Sequence, residues 1–114
     1  MKKMAIFIFV LAILIINACS KNNSSDYTAD CSTTKTFSAD ANPVIQSFCA
    51  TNAGCHGTGS SHGPGPLTTY SQIYNNRSAI RTSILNGSMP QNGTLSNSQK
   101  NAVVCWIDAD ATNN

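Results

Sequence analysis

The stretch CATNAGCHG, Cys49–Gly57, contains the chemistry on which the fold of this chain depends. His56 follows Cys55 directly, and a second cysteine, Cys49, precedes this pair with five residues between the two thiols. Gly54 and Gly57 lie on either side of the pair and allow the backbone to turn tightly there. Two thiols and an imidazole this close in sequence indicate a bound cofactor, a metal site or a disulfide.

Three interpretations fit these residues. Covalent haem attachment uses the pattern C-x-x-C-H, in which thiols add to haem vinyl groups and the histidine ligates iron. Cys55 and His56 match it, and Cys49 reaches the second vinyl group if residues 50–54 loop out; otherwise Cys55 attaches alone. A zinc site would use Cys49, Cys55, His56 and His62, although the spacing C-x5-C-H-x5-H is not a known zinc pattern. A Cys49–Cys55 disulfide would leave His56 as a bystander.

The beginning of the chain has the composition of an export signal. Lys2 and Lys3 precede the apolar run Met4–Ile16, which is short for a transmembrane helix. The run ends in IINACS, which resembles the lipobox of bacterial lipoproteins and implies cleavage before Cys19 and lipidation of that residue. We predict a signal peptide over residues 1–18 and a membrane-anchored protein facing the periplasm or the cell exterior. A plain secretory peptide and an uncleaved anchor are the alternatives.

The rest of the chain divides into a polar linker and one small domain. Residues 19–36 are rich in Ser, Thr and Asn and predict a flexible tether, and residues 37–114 form the predicted domain. Seven Lys and Arg less Lys2 and Lys3 leave five, which balance the five Asp, so the mature chain has no net charge. A neutral chain without a basic patch excludes nucleic-acid binding.

We predict an all-α fold of short helices and long loops. Apolar residues recur at helical spacing over residues 41–49, 70–76, 78–86 and 97–109, and no segment alternates convincingly with period two. A domain this small rarely builds a sufficient core without a disulfide, metal or other staple. The predicted cap residues are Ser38 or Asp40 for the first helix, Thr68 or Thr69 for the second, Gly87 at the end of the third, and the Ser96–Gln99 capping box of the last.

Met89 is a further candidate ligand. It lies in the polar loop NGSMPQNG, although methionine is normally an apolar gap-filler in protein cores. A thioether presented by such a loop can be the second axial ligand of a haem iron, opposite His56. His62 competes for this position, but it is close to His56 in sequence and would have to reach around the ring.

With these motifs together, the chain resembles small class I cytochrome c domains, in particular exported cytochrome-c-like lipoproteins of the Bacteroidetes. The resemblance covers about residues 37–114 and rests on the motifs NPVIQSFCATNAGCHG, MPQNGTLS and CWIDADATNN, in this order. It implies a small cytochrome c-like domain around covalently bound haem c. His56 and Met89 would be the axial iron ligands, and Cys55 and Cys49 the thioether attachment points. The chain departs from the family in its C-x5-C-H spacing and in Asp110, where Gly often ends the last helix.

The resemblance implies an electron carrier and not an enzyme, because iron with His and Met ligands has no open position for a substrate. We expect a monomer that exchanges electrons with redox partner proteins. With Cys49 and Cys55 assigned to haem, Cys31 and Cys105 remain, and an exported chain can join them in a disulfide. The alternative is a non-haem exported lipoprotein stabilised by disulfides or by a Cys/His zinc site.

Overall fold

The computed structural model describes residues 27–114. The predicted signal peptide, the lipidation site Cys19 and the first part of the predicted tether lie outside the described residues. A π-helical turn, Phe37–Ala41, continues into helix α1, and three further helices follow. Their bounds are α1 Asn42–Phe48, α2 Tyr70–Asn75, α3 Arg77–Leu85 and α4 Asn97–Asp108. Residues 27–114 contain no strand, so the all-α class is confirmed.

Within residues 27–114, no helix has both the length and the apolar character needed to cross a membrane.

The first helical segment begins earlier than predicted. Thr36, not Ser38 or Asp40, is its cap, because the Thr36 hydroxyl accepts a hydrogen bond from the Ala39 amide at 3.3 Å. Asp40 instead turns its carboxylate back toward Thr36 and accepts a hydrogen bond from the Thr36 amide at 2.9 Å. As in a capping box, the Thr36 side chain accepts from an amide of the first turn and the Asp40 side chain accepts from the amide of Thr36. Asp40 therefore lies inside the helical segment.

The other predicted helix ends are confirmed. Thr69 with Gln72 and Ser96 with Gln99 form complete capping boxes at the starts of α2 and α4. Gly87 follows the end of α3 with φ +72°, a left-handed conformation that residues with a Cβ rarely adopt. These ends follow from local hydrogen bonding, which is why the sequence alone indicates them.

Helix α4 is the centre of the hydrophobic core. Trp106 is fully buried, with its ring centroid 5.3 Å from that of Phe37. The Trp106 indole N–H donates to the carbonyl of Thr112 at 2.8 Å, and the Tyr70 hydroxyl donates to the carbonyl of Ala111 at 2.9 Å. The π-helical turn and α1 both pack on α4, so the predicted contact between the first and last helices is present. These bonds fold the C-terminal residues back over the core.

The residues before the first helix are attached to α4. A disulfide joins Cys31 to Cys105, whose Cα atoms are 5.3 Å apart. The Tyr27 hydroxyl donates to Asn101 Oδ1 at 2.7 Å, and the Lys100 ammonium lies 4.8 Å from the centroid of the Tyr27 ring. The apolar pattern of α4 places Cys105 on the flank of the core. The N-terminal segment covers this side of α4, so Cys105 is only 3% exposed. Residues 27–36, part of the predicted tether, therefore pack on the domain.

The disulfide should make a large contribution to stability, since it closes a loop with a sequence separation of 74 residues. In the chain-entropy account, such a loop corresponds to about 4 kcal/mol. We expect Cys31→Ala/Cys105→Ala to lower the free energy of unfolding by about this amount in urea denaturation. Reductant should lower the stability of the wild type to that of the variant and leave the variant unchanged. A loss below about 1 kcal/mol would contradict the prediction.

Candidate functional site

A cavity of about 470 Å³ lies at the end of α1. Its wall consists of the last residues of α1, the loop that follows, and residues 89–94 from the connection between α3 and α4. The volume falls in the range of small-molecule and cofactor sites, about 300–1,000 Å³. The four residues predicted as thioether or iron ligands, and the competing candidate His62, all line it: Cys49, Cys55, His56, Met89 and His62.

The five residues between the two thiols form a compact closed loop. The His56 amide donates to the Cys49 carbonyl at 2.9 Å, which brings the ends of the loop together. Asn52 organises its interior, because the Asn52 carbonyl accepts hydrogen bonds from the amides of Cys55 at 3.0 Å and Gly57 at 2.8 Å. The extra residues therefore bulge outward, and both thiols remain at the wall of the same cavity.

His56 is held in one orientation by the Gly-rich segment that follows it. The side chain is 7% exposed, and its Nδ1 lies 3.1 Å from the carbonyl oxygen of Gly65. Because a carbonyl can only accept, this contact places a proton on Nδ1, so that in the neutral imidazole the lone pair is on Nε2. A neutral imidazole with a free Nε2 is the form that ligates a metal, and a backbone acceptor on Nδ1 is its usual support.

Ser60 and Gly65 are site residues that the sequence analysis did not identify. The buried Ser60 hydroxyl donates to the Cys55 carbonyl and accepts from the His62 amide at 3.2 Å. Ser60 thereby connects Cys55 to the segment that begins at His62. This segment leads to Gly65, whose carbonyl contacts His56. The Gly and Pro content of residues 57–66 predicts a loop but not its path, and no sequence signal singles out Ser60 among the serines.

The thiols of Cys49 and Cys55 are separate and not joined in a disulfide. Burial, and secondarily the nearby Cys55 thiolate, raise the pKa of Cys49 to about 11. Cys49 is therefore an uncharged thiol at neutral pH.

The predicted zinc interpretation receives no geometric support. In the part of the chain that the structure describes, no three His, Cys, Asp or Glu side chains converge closely enough to hold a metal ion. Cys49, Cys55, His56 and His62 line one cavity but do not form such a group in the structure.

Met89 and His62 approach the cavity from two different loops. Met89 is half-buried, and its amide donates to the carbonyl of Ser83 at 3.3 Å, which ties the loop to α3. His62 is exposed and lies in the Gly-rich loop. The structure thus brings both candidate axial ligands to the site.

Comparisons of the chain with protein-family models, curated protein sequences and solved structures find no match.

The contact between Gly57 and Asn52 provides a test of the closed loop. A Cβ at Gly57 would lie 2.7 Å from the carbonyl carbon of Asn52, whereas a Cβ at Gly63 would meet nothing within 4 Å. Gly57→Ala should therefore push the Asn52 backbone away and lower the free energy of unfolding by about 1–3 kcal/mol, as overpacking does. Gly63→Ala, the matched control in the same segment, should stay within about 0.5 kcal/mol of the wild type. Equal stabilities in urea denaturation would refute this account of the loop.

Proposed function

We propose that this protein is a haem c electron carrier, exported and tethered to a bacterial membrane. The observation that carries the proposal is the single cavity lined by both unpaired thiols, the oriented His56 and Met89. These residues come from two chain segments more than thirty positions apart, Cys49–His56 and the loop of Met89. Their convergence supports one shared ligand.

The residues present fit a covalently bound haem. Cys55 and Cys49 would hold it through thioether bonds, and the His56 Nε2 and the Met89 thioether would ligate its iron. Phe48 adds an apolar side chain to the wall. When bound, haem c supplies an iron that takes up and releases one electron.

The residues of the cavity explain why we propose electron transfer and not catalysis. Gly65 orients His56 and keeps its Nδ1 proton engaged, which fixes the tautomer whose Nε2 can ligate iron. Met89, presented by a loop anchored at Ser83, would complete the coordination and leave no position for a substrate. A site closed in this way exchanges electrons with other redox proteins, and we propose that the carrier works as a monomer.

Covalent attachment of haem is the direct test of the proposed function. Produced in a host with haem-attachment machinery, the wild type should be coloured and should retain haem on denaturing gel electrophoresis. Its pyridine haemochrome should match a haem with two thioethers, Cys49→Ala should give the single-vinyl spectrum, and Cys49→Ala/Cys55→Ala should carry no covalent haem. Cys31→Ala/Cys105→Ala is the control, because it removes two cysteines away from the cavity and should retain haem. A colourless wild type would refute the proposed function.

The identity of the distal ligand follows from paired variants. We expect Met89→Ala to abolish the near-red charge-transfer band of the oxidised protein and to lower its reduction potential, since a thioether ligand raises it. Cyanide should bind at least about tenfold more tightly, because it no longer has to displace the sulfur. His62→Ala should change none of these properties. The reverse pattern would show that His62 and His56 are the two ligands.

The proposed membrane anchor depends on lipidation of Cys19, which lies outside the described residues. In a bacterial host, the Cys19→Ser variant should not incorporate labelled palmitate. Because Ser is close to Cys in size, the substitution should leave the domain itself unchanged. The wild type should partition into detergent with the membranes, because several acyl chains anchor a protein stably. Labelling of the variant equal to that of the wild type would exclude Cys19 as the lipidation site.

A further inference from the structure

Two Asn–Gly pairs, Asn86–Gly87 and Asn92–Gly93, lie close together in the connection between α3 and α4. Because glycine has no side chain, its amide nitrogen can approach the side-chain carbonyl carbon of the asparagine before it. Attack on that carbon removes the side-chain nitrogen of the asparagine, a reaction known as deamidation. The two pairs offer the same chemistry, so their surroundings in the folded protein decide how fast each one reacts.

The Asn86–Gly87 pair is held by two hydrogen bonds. The Gly87 amide donates to the Ile84 carbonyl at 3.3 Å, at the end of α3. The Asn86 side-chain oxygen accepts from the Ser88 amide at 2.9 Å. The first bond occupies the attacking nitrogen and the second restricts rotation of the Asn86 side chain, so this pair must open locally before it reacts.

The Asn92–Gly93 pair lies in the loop that contributes residues 89–94 to the cavity wall. Both residues are exposed, and a Cβ at Gly93 would meet nothing within 4 Å, so the space around the pair is open. Among residues 27–114, no group forms a hydrogen bond with the Asn92 side chain or the Gly93 amide. The attacking nitrogen and the side-chain carbonyl carbon can therefore meet without the loss of a hydrogen bond.

We infer that Asn92 is a site of spontaneous deamidation, which introduces a carboxylate into the wall of the cavity. The Gly93 nitrogen forms a bond to the Asn92 Cγ and gives up its proton, and the side-chain nitrogen leaves with that proton as ammonia. Water then opens the resulting cyclic imide at either of its carbonyls and leaves Asp or isoAsp at position 92. The reaction needs no enzyme and no reactant other than water.

The new carboxylate would be the only side chain of its kind in the cavity wall. The residues that line the cavity include no Asp, Glu, Lys or Arg, and their titratable groups are those of Cys49, Cys55, His56 and His62. A negative charge here would stabilise the more positive, ferric state of a haem iron in the cavity and so lower its reduction potential. This consequence rests on the proposed function, whereas the reaction itself does not.

Mass spectrometry of the incubated protein tests the reaction. Trypsin releases residues 82–100 as one peptide that contains both Asn–Gly pairs, so each pair is the internal standard of the other. In the folded protein with its disulfide intact, we expect deamidation at Asn92 to be at least about tenfold faster than at Asn86, because two hydrogen bonds oppose the reaction at Asn86. In concentrated guanidinium chloride with reductant, the two rates should agree within about threefold, because the protection of Asn86 is structural.

Substitutions of Asn92 test the effect on the cavity. Asn92→Gln keeps an amide but would require a larger imide ring, so it should not react, and Asn92→Asp introduces the charge directly. At low ionic strength we expect Asn92→Asp to raise the ratio of ferric to ferrous protein at a fixed potential by at least about twofold. Asn92→Gln should match the fresh wild type, and only the wild type should shift toward Asn92→Asp on incubation. Asn86→Asp, the control with the same charge at a residue that does not line the cavity, should have a smaller effect.

The two measurements separate this inference from the proposed function. Equal rates at Asn92 and Asn86 in the folded protein, or no reaction at Asn92, would refute the inference whether or not haem is bound. A colourless protein that reacts at Asn92 would support the modification site and refute the proposed function. With haem present, equal potentials of Asn92→Asp and Asn92→Gln would refute the effect of the carboxylate on the cavity.

Discussion

The hydrogen bond from the His56 amide to the Cys49 carbonyl is the constraint on which the site depends. At 2.9 Å it closes the loop between the two thiols, and the carbonyl of Asn52 fills the loop with two further hydrogen bonds. Without this closure, five extra residues between Cys49 and Cys55 would allow the first thiol to lie far from the second. With it, the end of α1 and His56 are fixed relative to each other, and one cavity wall can present both thiols and the imidazole.

The domain combines a small hydrophobic core with a disulfide and a cavity. Trp106 and Phe37 pack where the first helical segment crosses α4, and the Cys31–Cys105 disulfide covers the outer side of α4. The cavity lies at the opposite end of α1, bounded by loops. A chain of this size benefits from both a covalent crosslink and a filled interior. The proposed haem would supply the second of these, which links the structural need to the proposed function.

The arrangement of charge gives the domain two different kinds of surface. The charged side chains of residues 27–114 lie in the N-terminal segment, the π-helical turn, α3, α4 and the residues after α4. The residues that line the cavity include no Asp, Glu, Lys or Arg. Paired surface charges contribute little to stability, so their placement is not explained by stability alone.

The sequence by itself determined the helical class, three of the helix ends and the candidate ligands that line the cavity. Helical periodicity, the Thr69 and Ser96 capping boxes and Gly87 are local signals, and local hydrogen bonds satisfy them. Cys55 and His56 were identified because they are adjacent. Only the tertiary structure decided that Thr36 caps the first segment, that residues 27–36 pack on α4, and that Ser60 and Gly65 hold the Cys-His pair. These contacts join residues whose spacing has no period, and they form only after packing has brought their backbones together. The path of the Gly-rich loop 57–66 is the clearest case, because its composition permits many conformations and the hydrogen bonds of Ser60 and Gly65 select one.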